Sequence, residues 1–356
     1  MEKEQRSVSR RIVLRGMVAA GGALLLPSRR AAAAPEKPEV RLAVGGKTTL
    51  YYLPLTIAEQ LGFFRDEGLA LEISDFPGGA KALQALMGRS VDVVAGAFEH
   101  TIVMQTLAQK VQAFVLQGTN PGISLGIAAA KAAAYSWPKD LRGMRVGVSA
   151  PGSSTQMLVN HLLNSVGLTP DDVSIVGVGT GAQAVAAMRS GELDAISNVD
   201  PVMMLMEKLG LIKIVAETTT IQGARRVFGG SLPAACLYAR MQFIEDNPRT
   251  VQAMTIAILR ALKWLERASP EEVAAAVPAE YLLGDRDLYL DAFKRVRATY
   301  SHDGLMPPAG VKMSYNVLVK HNPAVRRAPV LRLEETYTNA FVRKASQALG
   351  DEQIRR

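Results

Sequence analysis

Val40-Arg41-Leu42-Ala43-Val44-Gly45-Gly46-Lys47-Thr48-Thr49-Leu50-Tyr51-Tyr52-Leu53-Pro54 is the stretch on which the fold turns. Val40–Val44 reads as a largely apolar strand, Gly45–Thr49 as a polar turn, and Leu53–Gly62 as a helical pattern. The same strand, turn and helix recur outward along the chain. Strands are expected at Leu69–Ser74, Val91–Ala95, Ala113–Gln117, Arg145–Ser149, Val173–Val178, Asp194–Asn198 and Lys213–Glu217. Helices are expected between them at Ala80–Met87, His100–Ala108, Thr155–Val166, Gln183–Arg189 and Met203–Leu209. This alternation predicts an α/β protein with mostly parallel sheets and helices on both faces. From Glu245 onward the chain reads as nearly all helical, with apolar residues at helical spacing through Val251–Leu265 and Leu288–Val296. No sequence repeat or heptad array is visible.

Open α/β sheets bind ligands beyond the carboxyl ends of their strands, and the polar clusters fall there. Lys47, Thr48, Tyr51 and Tyr52 follow the first strand, and Phe76-Pro77-Gly78-Gly79 the second. Phe98-Glu99-His100-Thr101 follows the third. In the second half come Ser149-Ala150-Pro151-Gly152-Ser153-Ser154-Thr155, then Gly179-Thr180-Gly181, then Asn198-Val199-Asp200-Pro201. Lys47 and the helix start Ser153–Thr155 could hold an anionic group, because free backbone N–H groups and the positive dipole end favour one. Tyr51, Tyr52, Phe76 and Phe98 offer apolar or stacking walls. Glu99 and Asp200, facing the ligand, would favour an amine or hydroxyl instead. Gly78, His100, Ser154, Thr180 and Asn198 complete the expected set. Taken singly, each is also what helix caps and tight turns look like. Their joint placement after successive strands carries the argument.

The N-terminus has a different grammar. Arg10-Arg11 precedes an apolar run from Gly16 to Leu26, then Pro27 and the alanines Ala31–Ala34. A basic start, a short apolar core and small residues at the end make an export signal, with cleavage expected after Ala33. The paired arginines fit twin-arginine export, and an ordinary Sec signal is the alternative. Either route places the mature protein in the periplasm. The chain of 356 residues carries 41 basic and 33 acidic side chains, net +8. Without residues 1–33 the balance is 34 against 31. With no clustered basic face, nucleic acid is not an expected partner. The sole cysteine, Cys236, excludes an internal disulfide and reads as a buried, inert thiol.

Tyr51-Tyr52-Leu53-Pro54-Leu55-Thr56-Ile57-Ala58-Glu59-Gln60-Leu61-Gly62-Phe63-Phe64-Arg65-Asp66-Glu67-Gly68-Leu69 resembles the opening helix of periplasmic solute-binding proteins of the nitrate, sulfonate and taurine transport type. Gly88-Arg89-Ser90-Val91-Asp92, Leu141-Arg142-Gly143-Met144-Arg145, Gly191-Glu192-Leu193-Asp194 and Phe243-Ile244-Glu245-Asp246-Asn247-Pro248 extend the resemblance across about residues 40–265. It implies the two-lobed (type II) periplasmic binding-protein fold, each lobe a mostly parallel sheet flanked by helices, joined by a two-strand hinge. The first lobe is expected from residues 38–126 and 236–356, the second from 127–235. Crossing strands are expected near Gly126–Ala129 and Ala234–Leu237. The resemblance further implies a small organic solute held between the lobes, with the permease and ATPase subunits of an ABC importer as partners. A sulfonate such as taurine, a carboxylate or a nitrate-like anion is the first expectation, an uncharged heteroaromatic the second.

The same domain occurs in enzymes of thiamine-pyrimidine synthesis, but those carry a cysteine-rich motif that a single cysteine cannot supply. Gly177-Val178-Gly179-Thr180-Gly181-Ala182 fits the dinucleotide fingerprint G-x-G-x-x-A, which would make an exported oxidoreductase. Only Gln183–Ser190 separates it from the next turn, too short for a full crossover helix. Gly122-Ile123-Ser124-Leu125-Gly126 fits G-x-S-x-G without the strand before and helix after that a nucleophile elbow requires. No metal-ligand spacing is present. A binding protein without cofactor, rather than an enzyme, is the expectation.

Overall fold

The computed structural model describes residues 34–136, 138–328 and 330–354. Residues 1–33, on which the expected export signal rests, lie outside the described residues. The chain first runs through β1 (Glu39–Val44), α1 (Leu53–Gln60), α2 (Phe63–Asp66), β2 (Ala70–Asp75), α3 (Gly79–Met87), β3 (Val93–Ala97), α4 (Glu99–Thr106) and β4 (Val111–Leu116). Next come β5 (Ile123–Ala128), β6 (Arg145–Val148), α5 (Ser154–Ser165), β7 (Ser174–Gly177), α6 (Ala182–Arg189), β8 (Ala195–Val199), α7 (Val202–Lys208), β9 (Ile212–Glu217) and α8 (Ile221–Phe228). The last run holds β10 (Ala235–Arg240), α9 (Met241–Asp246), α10 (Pro248–Arg267), α11 (Pro270–Ala276), α12 (Arg286–Val296), α13 (Pro308–His321), α14 (Pro323–Arg327) and α15 (Ala340–Ile354).

Two five-stranded sheets result, ordered β2-β1-β3-β10-β4 and β7-β6-β8-β5-β9. In the first, β1 lies parallel to β2 (Val40 opposite Leu71) and to β3 (Leu42 opposite Val93). The second repeats that arrangement with β6 parallel to β7 and β8. The strands expected to cross near Gly126–Ala129 and Ala234–Leu237 each belong wholly to one sheet. β5 pairs antiparallel with β8 and β9, and β10 antiparallel with β3 and β4. The chain changes sheets in 117–122 and again in 218–234, before each of these strands. The strand that enters from the other sheet is thus the single antiparallel member of each sheet.

Side-chain alternation along β1 splits the core. Val40, Leu42 and Val44 face a cluster containing Leu55, Ile57, Met254, Ile258 and Leu262, whereas Ala43 faces one containing Leu83, Leu86 and Ile102. That second cluster continues into the other sheet through Ile123, Leu125, Val146 and Leu158. α10 is the longest helix among the described residues, at 20 residues, and starts with Pro248, whose missing N–H costs nothing there. Its Val251, Met254, Ile258, Leu262 and Leu265 recur at helical spacing and are all buried.

The turns before β3 and β8 explain two motifs seen in the sequence. Asp92 accepts the Arg41 N–H at 3.0 Å and meets Lys37 Nζ at 2.7 Å. Asp194 accepts the Arg145 N–H at 2.9 Å and meets Lys131 Nζ at 2.7 Å. In each sheet a carboxylate ties the start of the central parallel strand to its neighbour.

Candidate binding cleft

The carboxyl ends of the two sheets face each other, and a small cavity of about 30 Å³ lies between them. Thr49, Tyr51, Tyr52, Gly45 and Gly79 line it from the first sheet. Ser149, Ser153, Ser154, Thr155, Thr180, Ile123 and Val199 line it from the second. Among the described residues its lining is hydroxyls, aliphatic groups and glycine backbone, with no carboxylate and no cation. The starts of α3 (nine residues) and α5 (twelve residues) meet here, so two positive helix ends converge on uncharged donors. Burial pushes the hydroxyls of Tyr51 and Tyr52 well above the ordinary tyrosine range, with the charge of Glu99 adding to the effect. Both phenols therefore stay protonated and can donate. Their rings meet edge to face, 4.8 Å between centroids.

Contacts across the gap hold the sheets together. Ser153 stands at the N-cap position of α5 without capping it; its Oγ accepts the Ala80 N–H at 2.9 Å, from the start of α3. Leu50 N–H donates to the Asp200 carbonyl at 3.0 Å. Arg295 of α12 donates to Asp200 through Nε at 2.9 Å and Nη2 at 2.6 Å. Burial pushes the Asp200 carboxyl up, and Arg295 works against that shift. Gly46, at φ +103, lies directly under the Thr180 side chain, and no other residue would fit the turn there. A Cβ on Gly78 would meet Ala150 Cβ at 2.9 Å, so the close approach of α3 to the second sheet depends on glycine.

Of the residues expected from sequence, Tyr51, Tyr52, Ser153, Ser154, Thr155 and Thr180 come together in this cavity. The others do not line it. Lys47 is turned to Glu59, at 2.8 Å, and its charge is spent there. Thr48 is half-buried outside the lining, and its neighbour Thr49 faces in instead. Gly78 packs on Ala150, Phe98 is fully buried in the core cluster, and Phe76 lies partly buried against that cluster. Asn198 Nδ2 donates to the Gly179 carbonyl and fixes that turn. Asp200 serves Arg295. Glu99 and His100 line an adjoining groove that shares Ser153 with the cavity. There His100 Nδ1 lies 3.2 Å from the Tyr238 hydroxyl, and burial lowers the ring's basicity. Thr155 is bonded back to Ser149, at 3.0 Å to its N–H and 2.8 Å to its Oγ, which shapes the loop. Sequence reasoning missed Thr49 and Ser149, though both sat in the quoted polar runs. It also missed Arg295, which sits in a helical stretch with no motif. Cys236 is fully buried, and its thiol is pushed well up by burial. Among the described residues no group of three or more His, Cys, Asp and Glu could hold a metal ion, and no helix is long and apolar enough to cross a membrane.

The model of the NMT1-like family matches residues 33–279, well over half the chain. The chain belongs to the NMT1-like family. A protein of Bordetella bronchiseptica RB50 of known structure is 46% identical to this NMT1-like chain, with a TM-score of 0.86 over 89% of this chain and 99% of that one. YtlA of Bacillus subtilis (strain 168), named as a binding protein, is 25% identical and covers 88% of this chain and 92% of its own. The alkanesulfonate-binding protein SsuA of Xanthomonas axonopodis pv. citri, solved with MOPS bound, shares the fold at 19% identity and a TM-score of 0.66, over 87% of this chain and 100% of that one. Among more distant relatives is the 4-amino-5-hydroxymethyl-2-methylpyrimidine phosphate synthase of Schizosaccharomyces pombe, 23% identical over 72% of this NMT1-like chain and 74% of that one.

Proposed function

We propose that this NMT1-like protein is the solute-binding component of an ATP-driven importer, working in the periplasm after removal of the segment ending near Ala33. Two lobes, residues 34–118 with 234–354 and residues 123–228, would close on the solute and present it to membrane permease and ATPase subunits. The observation that carries the reading is the hydroxyl-lined cavity at the meeting of two helix starts, free of charged side chains. Such a setting suits the oxygens of a sulfonate, carboxylate or nitrate-like anion, held by Tyr51, Ser154, Thr180 and backbone N–H groups. At about 30 Å³ the cavity has room for one water or little more, so the lobes must part to admit a solute. The likeness to SsuA and YtlA supports the reading. The catalytic alternative draws on the synthase relative, but no general base lines the cavity among the described residues, and the buried Cys236 is not part of its lining.

Thermal shift against taurine, ethanesulfonate, nitrate, dicarboxylates and pyrimidines tests the proposal. A ligand at 100 times its Kd should stabilise by about 2.7 kcal/mol. Tyr51→Phe and Thr180→Val should each weaken that ligand by roughly tenfold, the cost of a hydrogen bond to a charged group. Silence across all anions, or a response that survives both substitutions, would remove the anion assignment.

A further inference from the structure

Beyond the Ala80–Ser153 contact lies a larger space, a groove of about 790 Å³ between α3, α4, the start of α5 and the end of α13. Its size falls in the range of about 300–1,000 Å³ typical of ligand pockets. Leu83, Met87, Met104, Met157 and Leu318 give it apolar walls. Thioether side chains adapt readily to the shape of an occupant.

Glu99 and His100 also line the groove, each only 4% exposed. Glu99 Oε1 is buried and has no hydrogen-bond partner. The start of α4 favours a negative charge at this position, yet no donor reaches that oxygen. A buried carboxylate left without a donor is costly. Among the described residues no lysine or arginine lines the groove, and Glu99 is its single carboxylate. Burial lowers the pKa of His100 and brings that of His321, also in the lining, down to about 4. Both rings are therefore neutral at neutral pH, and Glu99 is the one acidic side chain in the lining among the described residues. The α13 wall lies beyond residue 279, where the family match ends, so the groove needs a part of the chain that the match does not reach.

We propose that this groove is a second ligand site, for an organic cation whose ammonium group pairs with Glu99 and whose apolar body rests on the methionine and leucine side chains. It adjoins the central cavity, with Ser153 in the lining of both, and does not rest on the anion reading there. The pairing gives Glu99 Oε1 a donor, and the unpartnered Asn160 Oδ1 in the same lining offers the ammonium group a second acceptor.

Titration calorimetry of the full chain with n-hexylammonium tests it, with n-hexanol and hexanoate as matched probes lacking the positive charge. Saturable binding of n-hexylammonium, at least tenfold tighter than either control, is expected. Glu99→Gln should weaken it tenfold or more. Because that side chain is buried and its replacement puts the fold at risk, Leu107→Lys provides a second variant. Leu107 is 58% exposed on the groove's rim, so a lysine there is tolerated by the fold and should repel the probe, again by tenfold or more. Equal binding of n-hexanol and n-hexylammonium, no saturable binding, or unchanged n-hexylammonium affinity in a folded variant would overturn the proposal.

Discussion

Asp92 and Asp194 occupy the same place in their respective sheets, and both carboxyls titrate below the ordinary range. For Asp194 the Arg145 guanidinium is the main cause, with the Arg145 N–H and Lys131 adding to it against burial. For Asp92 burial works upward and is outweighed by Lys37 and Arg41. A carboxyl whose pKa is lower folded than unfolded adds stability above the unfolded value, 3.8, and loses it as pH falls through the folded one. Melting temperature should therefore fall on acidification between about pH 5 and pH 1. Asp92→Asn and Asp194→Asn should each lower the melting temperature at neutral pH and flatten that acid slope; slopes equal to the parent's would refute the assignment. Asp200 differs, because it is 1% exposed and its partner Arg295 comes from the far end of the chain. Asp200→Ala leaves the partly buried guanidinium with only Glu207, at 3.3 Å, and a loss of about 3 kcal/mol in denaturant unfolding is expected. Residues of this kind mark the boundary of what is legible in sequence. The aspartates before β3 and β8 stood out through short turn motifs. Arg295 carries no local mark, since its partner lies 95 positions away along the chain.

At the scale of elements, the strand and helix pattern was legible almost throughout, because period and composition are local properties. Each expected strand appears within about two residues of its expected bounds, the ordinary scatter of element ends. The sheet-changing strands were misplaced for a non-local reason. Gly126 belongs to β5 through pairing with Ile196 and Ile214, and pairing leaves no trace in the sequence. The likeness of the sheets was hidden too: both share one spatial order and set of strand directions, although the antiparallel strand comes last along the chain in the first sheet and first in the second. Within the cleft, residue type was legible and direction was not. The Lys47-Thr48-Thr49 run predicts a polar turn, but backbone geometry decides that Thr49 faces inward and Lys47 meets Glu59. Helix starts give a contrast that can be measured. Ser269 caps α11 through a full capping box with Glu272, at 3.1 and 2.7 Å. Ser153 holds the corresponding position of α5 but bonds across the gap to Ala80. Ser269→Ala should cost about 1 kcal/mol of folding stability and leave solute affinity untouched. Ser153→Ala should show the reverse, weaker affinity with little change in unfolding. Loss of stability in both, with affinity constant, would make the α5 start a structural cap.

At the scale of the whole molecule, the proposed closing motion places an unusual demand on Gly78. At the mouth of the gap the two lobes meet through Gly78 on Ala150, Thr180 over Gly46, Ala80 to Ser153, Leu50 to Asp200, and the ion pairs of Arg295 with Asp200 and Glu207 and of Lys208 with Asp285. One core cluster lies wholly within the first lobe and another within the second, while a third joins the two and would act as the pivot if these contacts parted. A leucine at Gly78 would drive atoms into Ala150 and the Ser149 backbone, which cannot give way as a flexible side chain tip would. Gly78 has an extended backbone, φ 174, so the substitution adds no strain of its own within the first lobe. Gly78→Leu should therefore still unfold cooperatively while holding the mouth of the gap apart. Small-angle X-ray scattering should then report a larger radius of gyration than for the parent chain. Apparent affinity scales with the fraction of molecules able to close, so a hundredfold loss of closed population weakens binding by about two orders of magnitude. Scattering and affinity must move together for the closing motion to stand. A Gly78→Leu protein that scatters like the parent and binds the solute as tightly would show that the gap between the sheets is fixed, and that the solute reaches its site without parting them.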